Sequence, residues 1–281
     1  LPPADKDTSP EAVLDVTWSN YEDYLICPRK FRYAVVEGRL VQDRPSQSIA
    51  FGSVIQRIFE VFYKRQIYLQ GRAARQWLFS QVDCQVKEYE ESTQVQYTVR
   101  HTRQQMLDDL RQGVSTTLDT IKREKLLGEQ NFSEQDLSGN CGWLRLRSRA
   151  DFVFEGGDSV TLIEGKGTRS PGKYDRKEQV LFASLCYLIS RGKLPSRAGI
   201  LYYRSGEVKW IDVSPAKIQV FMEGLLEFAR RALEDDLAAN PRKTWCRLCS
   251  FLGECSEGQG KMREGTYPRS FEGPEDLDIT V

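Results

Sequence analysis

The chain is 281 residues long, 40% hydrophobic and 28% charged, and its forty basic and forty acidic residues cancel to a formal net charge of zero. This length supports one large or two small domains with ample core. The cancelled charge excludes a global field that would draw in nucleic acid, so any DNA-binding surface has to be a local patch. The longest apolar run, Val180 to Ile189, is interrupted by Ser184 and suits a buried helix rather than a membrane span.

Taken in order, residues 1–17 are rich in Pro and Asp and read as a flexible lead-in. They lack the charge and apolar pattern of a signal peptide, so a cytoplasmic protein is expected. Ser19 and Glu22 have capping-box spacing and predict a helix from Ser19 that carries Tyr21, Tyr24 and Leu25 toward Cys27-Pro28. Arg29, Lys30 and Arg32 then alternate with Phe31 and Tyr33. That pattern serves packing with solvated charges, or contacts from Arg29 and Lys30 to DNA phosphates. Phe51-Gly52-Ser53 opens an amphipathic helix with Val54, Ile55, Ile58, Phe59 and Phe62 on one stripe and Gly71 as its stop. Residues 73–127 read as further helices, with Trp77, Leu78 and Val82, then Met106, Leu110, Val114, Leu118 and Ile121, at helical spacing, closed by Gly128. The single histidine, His101, falls in a polar stretch between them and is expected at the surface.

The most informative stretch is Ser148 to Gln179. From Leu144 to Phe154 residues alternate, with Leu144, Leu146, Ala150 and Phe152 on one face and Arg145, Arg147, Arg149 and Asp151 on the other, so Asp151 is expected on a basic face. A Gly156-Gly157 turn leads into Val160 to Lys166, whose alternation points Glu164 and Lys166 the same way. A closed hairpin lets Asp151 and Glu164 share a divalent cation, with Lys166 placed to hold or deprotonate a water beside it. A surface hairpin with solvated charges is the bland alternative. Thr168, Arg169 and Lys173 form a basic loop suited to a phosphate, and Asp175 and Glu178 cap a helix from Arg176 to Ser190 with Gln179 in its first turn.

Two short strands, Arg197 to Arg204 and Glu207 to Val213, flank a Ser205-Gly206 turn, and Ser214-Pro215 starts a helix that Asn240-Pro241 ends. Cys246, Cys249 and Cys255 then form C-x2-C-x5-C, while Cys27 stands far upstream. Four thiolates in this pattern suit a 4Fe-4S cluster or, second, a tetrahedral zinc. Disulfides are the third reading, against which stand the odd count of seven cysteines and the missing secretory signal. Cys84, Cys141 and Cys186 have no close partner in sequence and read as ordinary thiols. The tail, 256–281, is rich in Gly and Pro with an acidic end, and is expected to be extended.

Asp151, then Glu164-Gly165-Lys166, then a helix carrying Gln179 together resemble the PD-(D/E)XK nuclease core. One cysteine before that core and three after it resemble the iron-sulfur subgroup of RecB-like nucleases, which includes the CRISPR-associated Cas-four family and the nuclease domain of AddB. The resemblance covers Trp18 to Cys255. It implies an α/β, restriction-endonuclease-like fold of the RecB type: a central mixed sheet flanked by helices, with residues 73–127 as a helical insertion, Cys27 with 246–255 as an iron-sulfur cap, and 18–255 as one nuclease domain. It also implies Mg2+ or Mn2+ at Asp151, Glu164 and the Gly165 carbonyl, catalytic roles for Lys166 and Gln179, and DNA contacts from Arg29, Lys30, Arg149, Arg169 and Lys173. The expected substrate is single-stranded DNA or DNA with free ends. The expected settings are CRISPR adaptation beside an integrase, or phage, recombination or defence work beside a helicase or effector; no membrane is implied. Two positions depart from the family pattern. Gln56 stands where G-x-x-x-H places a metal-ligating histidine, and offers only an amide oxygen, with Glu60 one turn on as a substitute. Ala183 stands at the Tyr of Q-x-x-x-Y, with Tyr187 one turn further. These departures favour a competing reading, a noncatalytic iron-sulfur DNA-binding scaffold, which retention of Asp151, Glu164 and Lys166 opposes.

Overall fold

A computed structural model describes residues 14–39, 47–93, 95, 97–98, 102–168, 177–234 and 237–264. In chain order, β1 (Leu14–Thr17) leads into α1 (Trp18–Ile26) and the short α2 (Pro28–Phe31), followed by a π turn at Arg32–Val36. Next come α3 (Gln47–Lys64), a 3-10 turn at Ile67–Gln70, α4 (Arg72–Ser92) and α5 (Arg103–Arg123). The strands β2 (Gln130–Cys141), β3 (Leu144–Gly156) and β4 (Ser159–Lys166) follow, then α6 (Lys177–Arg191), β5 (Arg197–Tyr202) and β6 (Val208–Ile211). The chain closes with α7 (Pro215–Leu233), α8 (Lys243–Cys246), a 3-10 turn and α9 (Ser256–Arg263). No helix among the described residues is long and apolar enough to cross a membrane.

The chain divides into two compact units, each discontinuous in sequence. The larger draws on Arg44–Gly139 and Ser148–Phe221, the smaller on Leu1–Asp43, Asn140–Arg147 and Met222–Leu277. In the larger unit the sheet is mixed: β3 and β4 pair antiparallel, β4 and β5 parallel, and β5 and β6 antiparallel, with β2 beside β3. Parallel strands need a crossover; α6 supplies it and packs on both β4 and β5. Helices α3, α4 and α5 pack on one another, and their stripes merge with the sheet in a core that includes Phe51, Ile55, Phe59, Leu110, Val114 and Phe152. The result is the helix-flanked mixed sheet expected from the sequence.

In the smaller unit β1 pairs parallel with Leu144–Arg147, the first part of β3. Its core is aromatic: the Phe228 ring lies 4.6 Å from Tyr24, 5.1 Å from Phe31 and 5.1 Å from Tyr21. Phe31 and Tyr33 are therefore core residues, which settles the aromatic half of the basic-aromatic pattern as packing.

Several expected boundaries move. The first helix starts at Trp18, because Thr17 and not Ser19 caps it, its hydroxyl accepting the Asn20 N–H at 3.3 Å. Leu14–Thr17, read as lead-in, is a strand because Val16 finds a buried place in the sheet edge. Helix α3 begins at Gln47 and ends at Lys64, where Gln66 takes a left-handed φ of 54°. Helix α5 ends at Arg123, with Lys125 rather than Gly128 in the left-handed region. Helix α7 ends at Leu233, well before Asn240-Pro241. Ser256–Arg263 is helical rather than extended: Cys255 takes the cap position and its sulfur accepts the Gly258 N–H. Residues 1–13, His101, Asp175 and 265–281 lie outside the described residues.

Candidate active site

All the residues gathered here belong to the larger unit. The β3–β4 register pairs Phe152 with Ile163 and Val153 with Leu162, and one step further it brings Asp151 to Glu164. The turn between the strands is made by Gly157 at φ 54°, a conformation that costs a glycine nothing. Asp151 is 7% exposed and Glu164 2% exposed, so the solvated-hairpin reading fails. On the basic face expected around Asp151, Arg145, Arg147 and Arg149 alternate as exposed residues while Asp151 itself is buried. Arg149 is exposed and spent on Asp136 at 2.8 Å, while Asp151 is held by neutral donors. Gln56 Nε2 on α3 donates to its Oδ1 at 2.8 Å, and the Gly165 N–H donates to Oδ2 at 2.6 Å.

Glu164 and Lys166 are joined through one side chain. Gln179, in the first turn of α6, donates from Nε2 to Glu164 Oε2 at 2.8 Å and accepts from Lys166 Nζ at 2.6 Å. Asp151, Glu164 and Lys166, chosen from strand alternation, and Gln179, implied by the family resemblance, thus meet with the main chain of Gly165 between them. Gln56 meets them too, but through its nitrogen, so the expected oxygen ligand is here a donor that orients Asp151. Glu60, its proposed substitute, pairs with Arg57 at 3.2 Å. Tyr187 does not replace the tyrosine missing at Ala183, because its hydroxyl donates to Glu155 at 2.5 Å. Arg169 and Lys173 lie outside the described residues.

Two site residues escaped the sequence reading. Glu134 on β2 has a left-handed φ of 55°, and one of its carboxylate oxygens is buried without a hydrogen-bond partner. The adjacent Ser133 hydroxyl fixes β2 against the Asp151 carbonyl at 2.8 Å. Tyr203, just past β5, is fully buried with its hydroxyl unpartnered. The electrostatics follow from this crowding. Burial pushes the carboxyl of Asp151 up, against the pull of the Gly165 N–H, Lys166 and Gln56. Glu164 is pushed well up by burial and by Asp151, with Lys166 opposing. Glu134 is raised to about 7 by burial and then by Asp151. Carboxylates that resist ionisation in one place form an oxygen-rich set that a hard divalent cation would relieve. Among the described residues, no group of three or more His, Cys, Asp or Glu side chains is gathered tightly enough to hold a metal ion as placed. The fit to a cation therefore rests on the two buried acids, whose present neutral partners, Gln56, Gln179 and the Gly165 main chain, meet them through N–H groups.

In the smaller unit, Cys27, Cys246, Cys249 and Cys255 are all half-buried free thiols. Burial raises the Cys246 thiol, with Cys27 and Cys255 adding to the effect, and raises Cys249, with Cys27 and Cys246 adding. Two of the sulfurs have a main-chain donor, Asn240 N–H to Cys27 and Gly258 N–H to Cys255, both at 3.3 Å. Arg29 donates to the Leu237 carbonyl at 3.2 Å and pairs with Glu257, and Lys30 pairs with Asp23 at 2.7 Å.

A mixed sheet flanked by helices, with two buried acids and a lysine at the end of one hairpin, defines a nuclease-like hydrolase core. A profile of the PD-(D/E)XK nuclease superfamily matches residues 15–256, most of the chain, and the protein belongs to that superfamily. Among solved structures, SSO0001 is similar at 14% identity over 89% of each chain, with a TM-score of 0.39. The protein VC1899 from Vibrio cholerae is similar at 12% identity over 67% of this chain and 48% of its own, with a TM-score of 0.25. No curated protein sequence matches the chain.

Proposed function

We propose that the protein is a RecB-like, metal-dependent deoxyribonuclease that processes single-stranded or free-ended DNA in the cytoplasm, and that its smaller unit carries a structural 4Fe-4S cluster. The observation that carries the catalytic reading is Gln179, which ties Glu164 to Lys166 while Asp151 stands across the hairpin. Asp151, Glu164 and the Gly165 carbonyl would hold Mg2+ or Mn2+. When bound, the cation supplies polarisation of the phosphodiester and a lowered pKa for water. Lys166 would leave Gln179 for a phosphate oxygen, stabilising negative charge as it develops. Gln179, freed at one end, keeps Glu164 oriented; Gln56 does the same for Asp151. Arg149, Arg169, Lys173, Arg29 and Lys30 remain candidates for phosphate contacts, which would require Arg149, Arg29 and Lys30 to exchange their present acidic partners.

The cluster reading is supported by four thiols within one unit, two of which, Cys27 and Cys255, accept a main-chain N–H, because hydrogen bonds to sulfur stabilise the negative charge of a thiolate-bound cluster. Its role would be to join residue 27 to residues 246–255 and remove the closure entropy of that long loop. A CRISPR integrase, a helicase or another defence protein fits the same chemistry as partner.

The test is cleavage of end-labelled single- and double-stranded DNA by anaerobically purified protein with Mg2+ or Mn2+, beside Lys166→Ala. Metal-dependent cutting lost in the variant is expected, and the label gives polarity. Full cutting by Lys166→Ala would remove the assignment. No cutting by a protein with intact iron content would favour the noncatalytic scaffold, the reading that Gln56 and Ala183 support.

A further inference from the structure

Glu164-Gly165-Lys166 has no side chain at its centre, and the space is taken by another residue. A Cβ built on Gly165 would overlap the hydroxyl oxygen and the adjoining ring carbon of Tyr203. Tyr203 follows β5 directly, and its N–H donates to the Lys166 carbonyl at 2.9 Å, so the main chain fixes the phenol over the site. Its ring meets Phe152 edge-on at 6.4 Å, and the residue is fully buried. The hydroxyl has no hydrogen-bond partner of ordinary geometry, although the Gln56 amide approaches it. The charges it faces are acidic: Asp151, Glu134 and Glu164, with burial, all favour the neutral phenol.

A neutral phenol is a hydrogen-bond donor, and a buried donor without an acceptor is unfavourable unless an acceptor arrives. The acceptors at hand are oxygens that a bound cation would reorient. We propose that Tyr203 is a positioning residue of this site, its hydroxyl donating to a carboxylate oxygen or a water once a divalent cation draws Asp151 and Glu164 together. The proposal rests on the metal-dependent nuclease reading. It also explains the glycine: any larger residue between Glu164 and Lys166 would displace the phenol. Glu134, whose free oxygen is buried on the same side chain cluster, is the acceptor left over if Asp151 and Glu164 are both committed to the cation.

Tyr203→Phe tests this because it removes one oxygen and keeps the ring against Phe152. Titration calorimetry of Mn2+ into the full chain should show affinity weakened about 10-fold or more, the range typical of lost outer partners of a metal site. The melting midpoint without metal should stay level or rise, since an unsatisfied group is deleted. Turnover on DNA should fall with KM unchanged. If Tyr203→Phe binds Mn2+ like the wild type while Asp151→Asn does not, the Tyr203 proposal is overturned and the nuclease reading stands. If neither wild type nor Asp151→Asn binds Mn2+, both fall. Weakened binding accompanied by a large drop in the metal-free midpoint makes the hydroxyl merely structural and also overturns the proposal.

Discussion

The carboxylate site of the larger unit and the cysteine group of the smaller one solve the same problem differently. Each gathers ionisable side chains in a partly or fully buried place and supplies them with hydrogen-bond donors. At Asp151 and Glu164 the donors are mostly side chains, Gln56 from α3 and Gln179 from α6, with a single main-chain N–H from Gly165. At the cysteines the donors are main chain, from Asn240 to Cys27 and from Gly258 to Cys255. A side-chain donor can rotate away when a ligand arrives, whereas a main-chain donor stays. The first arrangement suits a site that must exchange partners during turnover, and the second a group that is assembled once.

The sharpest break of this comparison is Lys166→Ala, expected to reduce cleavage by about 10²–10³-fold, the range for losing a donor aimed at developing charge, with the melting midpoint nearly unchanged. Cys249→Ala should do the reverse. On the proposed cluster, loss of iron, read by metal analysis, should come with a midpoint lowered by roughly 10 °C, since a structural metal's binding energy is folding energy. Gln179→Ala should cost about 10–100-fold in activity, and Gln179→Glu should not restore it, because a carboxylate beside Glu164 cannot donate.

The acids give a pH dependence of definite sign. Glu134 is raised from the usual range near 4.3 to about 7, and Asp151 and Glu164 shift the same way. The folded state therefore holds protons that the unfolded state releases. Stability falls as pH rises between those limits. Midpoints measured with Mg2+ should show that fall reduced, because the cation favours the ionised acids, and affinity for Mg2+ should rise over the same window. The smallest effect is expected for Gln56→His, which replaces a donor to Asp151 by a nitrogen able to bind metal. Mn2+ affinity should increase by about 10-fold or less, and an unchanged affinity would mean that α3 does not reach the cation.

Asp151, Glu164, Lys166 and Gln179 were legible in sequence because a hairpin has period two and a helix start has a recognisable first turn, so spacing alone fixes direction. Glu134 and Tyr203 were hidden for opposite reasons. Strand β2, QNFSEQDLSGNC, is largely polar, buries only Asn131 and Leu137, and turns at Glu134 through a left-handed residue, so no alternation survives to be read. Tyr203 lies in an apolar run, Ile200 to Tyr203, in which nothing separates a site residue from core. The one available signal was Gly165, a small residue between two functional ones that asks what fills its space. Strand β1 was missed because four residues are too few to show a period, and its partner lies far along the chain at Leu144–Arg147. Gln56 reaches Asp151 through its nitrogen rather than its oxygen: sequence names the amide and leaves open which end faces the acid.

The segmentation of the two units also sets a timetable for synthesis. Described residues of the larger unit are all translated once Phe221 has left the ribosome, while the smaller still lacks Met222 onward. Domains fold as units while the chain emerges. Cys27 precedes the larger unit in the chain, whereas Cys246, Cys249 and Cys255 follow it. The larger unit can therefore be complete before all four cysteines have been made, and anything the four hold together is assembled on a chain whose larger unit is already able to fold.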